Sequence, residues 1–284
     1  MRRPVTWLDV FTATLLSGNQ LAVVHDADGL DDATMLAFAR ETRLSETTFV
    51  QTADRNGADY RNRIWTMAGE LPFAGHPSLG TAVAVARARG ETHADYVQQT
   101  PAGLQPVGVQ LDGDRARASM LQEPASFGSA AAAADVLAAA GLREGDLDPE
   151  LGPLVVSTGV AHLVVGLRDR AALAGAAAER APLQALLEPL EAVLLYLVAV
   201  DGDVAHARGF FLGPGGVIED PATGSAAGPL LAYLRARGGA DELTVHQGIE
   251  MGRPSRIDCA WEDDRPRVSG DVVVVGDGHL LLGN

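Results

Sequence analysis

Glu46 is a carboxylate that could take a proton from carbon. It sits in Leu44-Ser45-Glu46-Thr47-Thr48-Phe49-Val50, at the head of a short β-branched run and walled by Leu44 and Phe49. Apolar walls disfavour the ionised form and raise a carboxyl pKa, which suits a general base working near neutral pH. A glutamate there also fits a solvated strand edge, so its partners decide the matter. Two Gly-rich turns supply candidates: Glu70-Leu71-Pro72-Phe73-Ala74-Gly75-His76-Pro77 and Glu219-Asp220-Pro221-Ala222-Thr223-Gly224-Ser225-Ala226. Each opens an alanine-rich helix, whose N-terminus presents unpaired N–H groups and about half a positive charge. Gly75 and Gly224 let a ligand approach the backbone closely. His76 and Ser225 add side-chain donors beside those N–H groups. Asp220, just before Pro221, is either a cap for its turn or a second working carboxylate. Together these groups would hold a carboxylate and an enolate-like oxygen while one base moves a proton.

Other chemistries are closed by composition. The 22 basic residues are all arginine. A pyridoxal phosphate Schiff base and a Walker-type phosphate loop both require a lysine. Cys259 is the single cysteine and falls in a strand-like stretch, so neither an intrachain disulfide nor a two-thiol mechanism is available. The histidines show no metal-ligand spacing, and no metal or other cofactor is expected. A net charge of −15 argues against a nucleic-acid surface, which needs clustered basic residues.

The elements that must position these residues come in two copies. Ala74–Gly90 lies on Ala222–Gly238 at a shift of 148 residues, with seven of 17 positions identical. Both copies run from the turn into a helix that reads as amphipathic and ends Arg-x-Arg-Gly. A second echo joins Gly18…Val23-Val24 to Gly159…Val164-Val165 at a shift of 141, so a short indel separates the two. Around each helix the chain is mostly strand. Val5–Thr12, Leu21–His25, Glu46–Gln51 and Ala58–Thr66 precede the first helix, and three strand candidates follow it. This order lacks the regular strand–helix alternation of a parallel sheet. It predicts an α+β fold of two related domains, with a small-molecule site between the halves.

The length, 284 residues with 47% apolar content, suits two such domains. We expect an N-terminal domain over 1–124, a linker at Glu123–Ala134, and a C-terminal domain over 125–276. A last strand within 277–284 is expected to pack back on the first half. No targeting segment is visible at the start, and the longest apolar run, Ala192–Val200, is too short to cross a bilayer. A soluble cytoplasmic protein without membrane or nucleic-acid partners is the expectation.

With these residues assembled, the chain resembles the PhzF-like family, named for phenazine biosynthesis, within the diaminopimelate epimerase-like fold. The resemblance rests on Leu8-Asp9-Val10-Phe11-Thr12, Gly18-Asn19, the Glu46 segment, both Gly-rich turns, and Gln247-Gly248-Ile249-Glu250-Met251-Gly252-Arg253-Pro254-Ser255. It implies two pseudo-symmetric domains, each a mostly antiparallel sheet wrapped around a central helix. It further implies a homodimer, no cofactor, and isomerisation of 2,3-dihydro-3-hydroxyanthranilate, a small carboxylate substrate. By the resemblance Glu46 is the acid/base, with His76 and Asp220 as its catalytic companions. Gly75, Gly224, Ser225 and Asn19 then bind substrate. The epimerase branch works with two cysteines, and here the positions expected to correspond are Ala74 and Ala222. The chain departs from the family's usual prolines at Gln20 and after Thr66, in Met67-Ala68-Gly69. Both loops are expected to border the substrate. A double-bond isomerase for another precursor, such as a pyrroline-type amino acid, and a non-catalytic binder of small acids are the alternatives.

Overall fold

A computed structural model of the chain describes residues 2–282. The chain folds as two compact units, one of Met1–Met120 with Ser269–Asn284 and one of Leu121–Val268.

The first unit runs β1 (Arg2–Val10), β2 (Asn19–Val24), α1 (Asp32–Thr42), β3 (Thr47–Gln51), β4 (Tyr60–Trp65), β5 (Glu70–Leu71), α2 (Gly75–Arg89), β6 (His93–Thr100), β7 (Gly103–Asp112) and β8 (Arg115–Leu121). Most neighbouring strands are antiparallel; β2–β3 and β4–β6 are parallel, and each of those crossovers carries a helix. The last strand of the chain, Arg265–Leu281, pairs with both β1 and β8 and so closes the sheet into a barrel. Inside it lies α2, buried continuously from Gly75 to Ala86 and packed on β1, β2, β3, β4, β6 and β7. The helix is therefore not amphipathic over this length, contrary to the sequence reading. A sheet that wraps a helix leaves it no solvent face, and small residues (Gly80, Ala82, Ala84, Ala86) let the strands come close. On the barrel's outside, Met35, Phe38 and Ala39 of α1 cover Ala22, Val24, Phe49 and Trp65.

The second unit runs β9 (Ser126–Ala130), α3 (Ala133–Ala140), β10 (Leu154–Ser157), β11 (Ala161–Gly166), α4 (Arg170–Gly175), α5 (Arg180–Leu187), β12 (Leu194–Asp201), β13 (Val204–Gly213), β14 (Gly216–Asp220), α6 (Gly224–Arg235), β15 (Glu242–Gln247) and β16 (Ser255–Glu262), and it ends inside β17 (Arg265–Leu281). The stretch expected to be a linker contains a strand, β9, paired antiparallel with β10. Helix α6 packs on β10, β11, β15 and β16. On the other face α3, α4 and α5 bury Val136, Leu173, Leu183, Leu186 and Leu187 against Val155, Leu163, Val165, Leu195 and Leu197.

The duplication suggested by the sequence extends to strand pairing. β1–β2, β2–β3, β3–β4, β4–β5, β4–β6 and β6–β7 are antiparallel, parallel, antiparallel, antiparallel, parallel and antiparallel. β10–β11, β11–β12, β12–β13, β13–β14, β13–β15 and β15–β16 repeat that order and sense. The register of the turns needs one correction. The helices begin after Ala74 and Thr223, so the structural match places Ala74 on Thr223 rather than on Ala222. At that shift of 149, Glu70, Pro72 and Gly75 fall on Glu219, Pro221 and Gly224.

Candidate active site

The approach to each helix start is braced in the same way. In the first unit Arg63 on β4 grips Glu70 on β5 through two hydrogen bonds of 2.7 Å and lies over the Trp65 ring. In the second, Arg208 on β13 grips Glu219 on β14 through two bonds of 2.8 Å and lies over Phe210. Arg208 also donates to the carbonyls of Leu173, Ala174 and Ala176. A bidentate guanidinium–carboxylate pair fixes the hairpin that leads into the turn, as a point charge would not. Sequence reasoning missed this motif, Arg-x-aromatic followed by Glu-x-Pro-x-x-Gly, because the shift of 148 put the two glutamates out of register.

Neither helix is capped by the side chain of its own N-cap residue. Asp31 caps α1 and Asp169 caps α4, whereas Ala74 and Thr223 make no side-chain cap bond. Alanine at such a position forgoes about 0.5–2 kcal/mol of capping. Helices α3 and α5 are uncapped as well, so the polar groups gathered beside α2 and α6 carry the functional argument.

Beside α2 those groups are Asn19, Ser45, Glu46 and His76. Gly18 (φ 63°) turns the chain into β2; a Cβ there would stand 2.4 Å from the Val10 carbonyl oxygen, so only glycine fits. Asn19 follows as the first residue of β2. Its Oδ1 accepts from Ser45 Oγ at 3.3 Å, and its Nδ2 lies 3.2 Å from His76 Nδ1. With that amide donating, Nδ1 is an acceptor and the ring proton sits on Nε2. His76 Nε2 stands 3.6 Å from Glu46 Oε2, with side-chain exposures of 6% and 17%. Burial pushes the His76 pKa down to about 3, against a smaller opposing pull from the Gln20 backbone, so the ring is neutral at physiological pH. At 3.6 Å, the approach of this neutral N–H to the carboxylate is longer than a hydrogen bond, as catalytic contacts often are without a ligand.

Beside α6 the groups are Asp220, Thr223, Ser225 and His162. The Asp220 Oδ2 accepts from Thr223 Oγ1 at 2.7 Å. Gln247, which the sequence reading valued only as part of a motif, clamps this turn. Its Nε2 donates to the Asp220 carbonyl at 2.7 Å and to Thr223 Oγ1 at 2.9 Å. Its Oε1 accepts from the Thr223 N–H and the Tyr196 hydroxyl, both at 3.1 Å. Gln122 holds the other side of the helix start, donating to the Gly224 carbonyl at 2.9 Å and accepting from Thr158 Oγ1 at 2.7 Å. Ser225 Oγ lies 3.1 Å from His162 Nε2 on β11. Nothing in the sequence marked His162, a lone histidine in an apolar strand 63 residues from its partner.

Among the described residues no cluster of His, Cys, Asp and Glu suits a metal ion. Cys259 is buried on β16, its thiol pushed well up by burial. Among the described residues no helix is long and apolar enough to cross a membrane. A cavity of about 700 Å³ opens at the C-terminal end of α2, away from His76. On its wall Arg87 meets Asp277 at 2.6 Å and Asp114 at 3.1 Å, and His25 lies 3.0 Å from the Thr6 hydroxyl.

Comparison with known proteins shows the family and the fold. The family model for phenazine biosynthesis-like protein (PhzC-PhzF) matches residues 8–278. The chain is 37% identical over 278 residues to a trans-2,3-dihydro-3-hydroxyanthranilate isomerase of Pseudomonas aeruginosa, covering 95% of this chain and 94% of that one. Among solved structures it is similar to a predicted epimerase from Pseudomonas aeruginosa, with TM-score 0.88, 37% identity, and 99% and 100% of the two chains covered. A hydroxyproline epimerase from Agrobacterium vitis shares the fold at 14% identity, with TM-score 0.68 over 98% and 92% of the two chains.

Proposed function

The chain belongs to the phenazine biosynthesis-like (PhzC-PhzF) family and is an isomerase; from that premise we propose that it moves a proton between two carbons of a small cyclic amino or hydroxy acid. The substrate we assign first is trans-2,3-dihydro-3-hydroxyanthranilate, on which the Pseudomonas aeruginosa relative acts by its name. Glu46 takes a proton from one ring carbon and delivers it to another on the same face, so nothing is gained or lost and no co-reactant is needed. The neutral His76 donates from Nε2 to the oxygen or nitrogen that gathers charge as the proton leaves. Asp220, fixed by Thr223 and Gln247, accepts from the amino or hydroxyl group. Ser225 and the start of α6 at Gly224 bind the carboxylate, Gly75 at the start of α2 is assigned to substrate binding, and Asn19 keeps His76 in its working tautomer. Preorganised donors of this kind act where charge develops, which is their main contribution to rate.

The observation that carries this reading is the Glu46–His76 pair: a carboxylate 17% exposed, facing a neutral imidazole N–H. A purely binding protein has no need of a base so placed. The alternative within the same chemistry is a double-bond isomerase of another precursor, such as a pyrroline-type acid, and it rests on Gln20 standing where the family resemblance expects proline. On the family resemblance we also assign a homodimer of two-domain chains in the cytoplasm, which light scattering and fractionation test.

Incubation with the dihydro compound in deuterated buffer tests the function. The reading expects ring isomerisation with deuterium at the carbon that receives the proton. Neither turnover nor exchange removes this substrate, and exchange with a pyrroline-type acid instead would establish the alternative.

A further inference from the structure

The geometry points to His162 as a positioning residue that holds Ser225 as a hydrogen-bond donor toward an anionic group of the ligand. The inference rests on the proposed role of Ser225 and extends it to a residue outside the family motifs. Four observations support it. First, His162 Nε2 is 3.1 Å from Ser225 Oγ, while His162 Nδ1 is buried without a hydrogen-bond partner among the described residues. A buried N–H without an acceptor is rarer and more costly than a buried lone pair without a donor. The proton therefore belongs on Nε2, which makes Ser225 Oγ the acceptor in this contact. The serine hydroxyl hydrogen is then free to point elsewhere.

Second, Pro229 lies inside α6, four residues after Ser225, and has no N–H to give the Ser225 carbonyl. That carbonyl loses its helical partner, and the Ser225 backbone is the group that draws the His162 pKa upward against burial. An acceptor beside the ring again favours a proton on the nitrogen facing Ser225. Third, burial dominates and lowers the His162 pKa to about 4, so the ring is neutral and leaves no cation to compete for the ligand's charge. Fourth, the first unit has a comparable strand-to-helix contact: a strand residue, Asn19, meets the ring of the second helical residue, His76. In the second unit the histidine is on the strand and the helix carries the hydroxyl.

The same facts exclude a nucleophilic serine. A general-base histidine needs an acceptor at Nδ1 to orient the ring and carry the opposite tautomer. His162 has none among the described residues.

The test has two arms on the full chain. Long-range ¹H–¹⁵N correlation spectra of the imidazole nitrogens read the tautomer without any substrate; Nε2–H is expected, and Nδ1–H overturns the inference. The second arm measures affinity for 3-hydroxyanthranilate, an aromatic analogue that cannot isomerise, alongside KM and kcat for the dihydro compound. His162→Leu should weaken analogue binding and raise KM about tenfold or more, with kcat changed far less. His162→Gln, which can return an amide N–H to Ser225, should stay within a few fold of wild type. Equal affinity in wild type and His162→Leu, with His162→Leu folded by circular dichroism, overturns the inference. Failure of the wild type to bind or turn over either compound sinks the functional reading instead. The tautomer then decides the inference alone, Nε2–H upholding it and Nδ1–H ending it.

Discussion

His76 Nε2 stands 3.6 Å from Glu46 Oε2, the histidine on the first turn of a helix enclosed by a barrel and the glutamate one residue before a strand of that barrel. The helix start, the strand that Glu46 leads into and Asn19 of β2 are all parts of one unit, so the pair is anchored by the elements of that unit. On the proposed function His76 works as a neutral donor. Burial keeps its pKa near 3, so a plot of kcat/KM against pH should show no decline between pH 6 and 8 from loss of an imidazolium proton. A decline centred near 6.5 would mean that the protonated ring is the working form. His76→Leu should lower kcat/KM by about 10²–10⁴.

Stability should carry the same signature. His76 and His162 both have folded-state pKa values depressed by burial, to about 3 and about 4. Their contribution is complete above the unfolded value near 6.5. Below it the unfolded chain binds protons that the folded chain refuses, so stability falls with pH, by up to about 1.4 kcal/mol per pH unit for each ring. Urea unfolding from pH 7.5 to 4.5 should show this slope, and His162→Gln should make it shallower. Parallel slopes in variant and wild type would contradict the burial of a neutral His162.

Arg208 should matter to stability far more than an exposed arginine. Its guanidinium spans Glu219 and three carbonyls at 10% side-chain exposure. Arg208→Ala leaves Glu219 and those carbonyls without their donor, and should cost about 3–5 kcal/mol in chemical denaturation. A loss below 1 kcal/mol, the range of surface pairs, would show that the brace is dispensable.

Gly228→Ala tests how α6 is seated. A Cβ at Gly228 would stand 1.8 Å from Gln122 Oε1 and 3.2 Å from Pro266. Gln122 also carries the Gly224 carbonyl and the Thr158 hydroxyl, so it cannot swing away without breaking them. The substitution should cost about 1–3 kcal/mol and weaken binding of 3-hydroxyanthranilate. Gly175→Ala, with nothing within 4 Å of the added carbon, is the control.

The sequence made the α+β class, the duplicated turns, and the catalytic candidates legible because glycine, proline and capping residues act locally. Glu46 and His76 could be named from their neighbours in the chain. Their approach to each other could not, since it depends on how β2, β3 and α2 pack. The helix burial was misread for a related reason: alanine-rich sequence with arginines at one end looks amphipathic until a barrel closes around it. His162 and Gln247 were invisible as site residues, because a polar side chain in a strand acquires meaning only from what it faces across the fold. The Arg63–Glu70 and Arg208–Glu219 braces lay in plain view, hidden by a one-residue offset between the two halves.

The central claim is that Glu46 is the single base that moves the proton. Glu46→Gln keeps the side chain's shape and removes its basicity, so the variant should bind 3-hydroxyanthranilate within a few fold of wild type. Its kcat for the dihydro compound should fall by more than the ~10²–10⁴ of auxiliary acid–base assistance, with no deuterium entering the ring. Turnover within tenfold of wild type, with deuterium at the same carbon, would contradict the account.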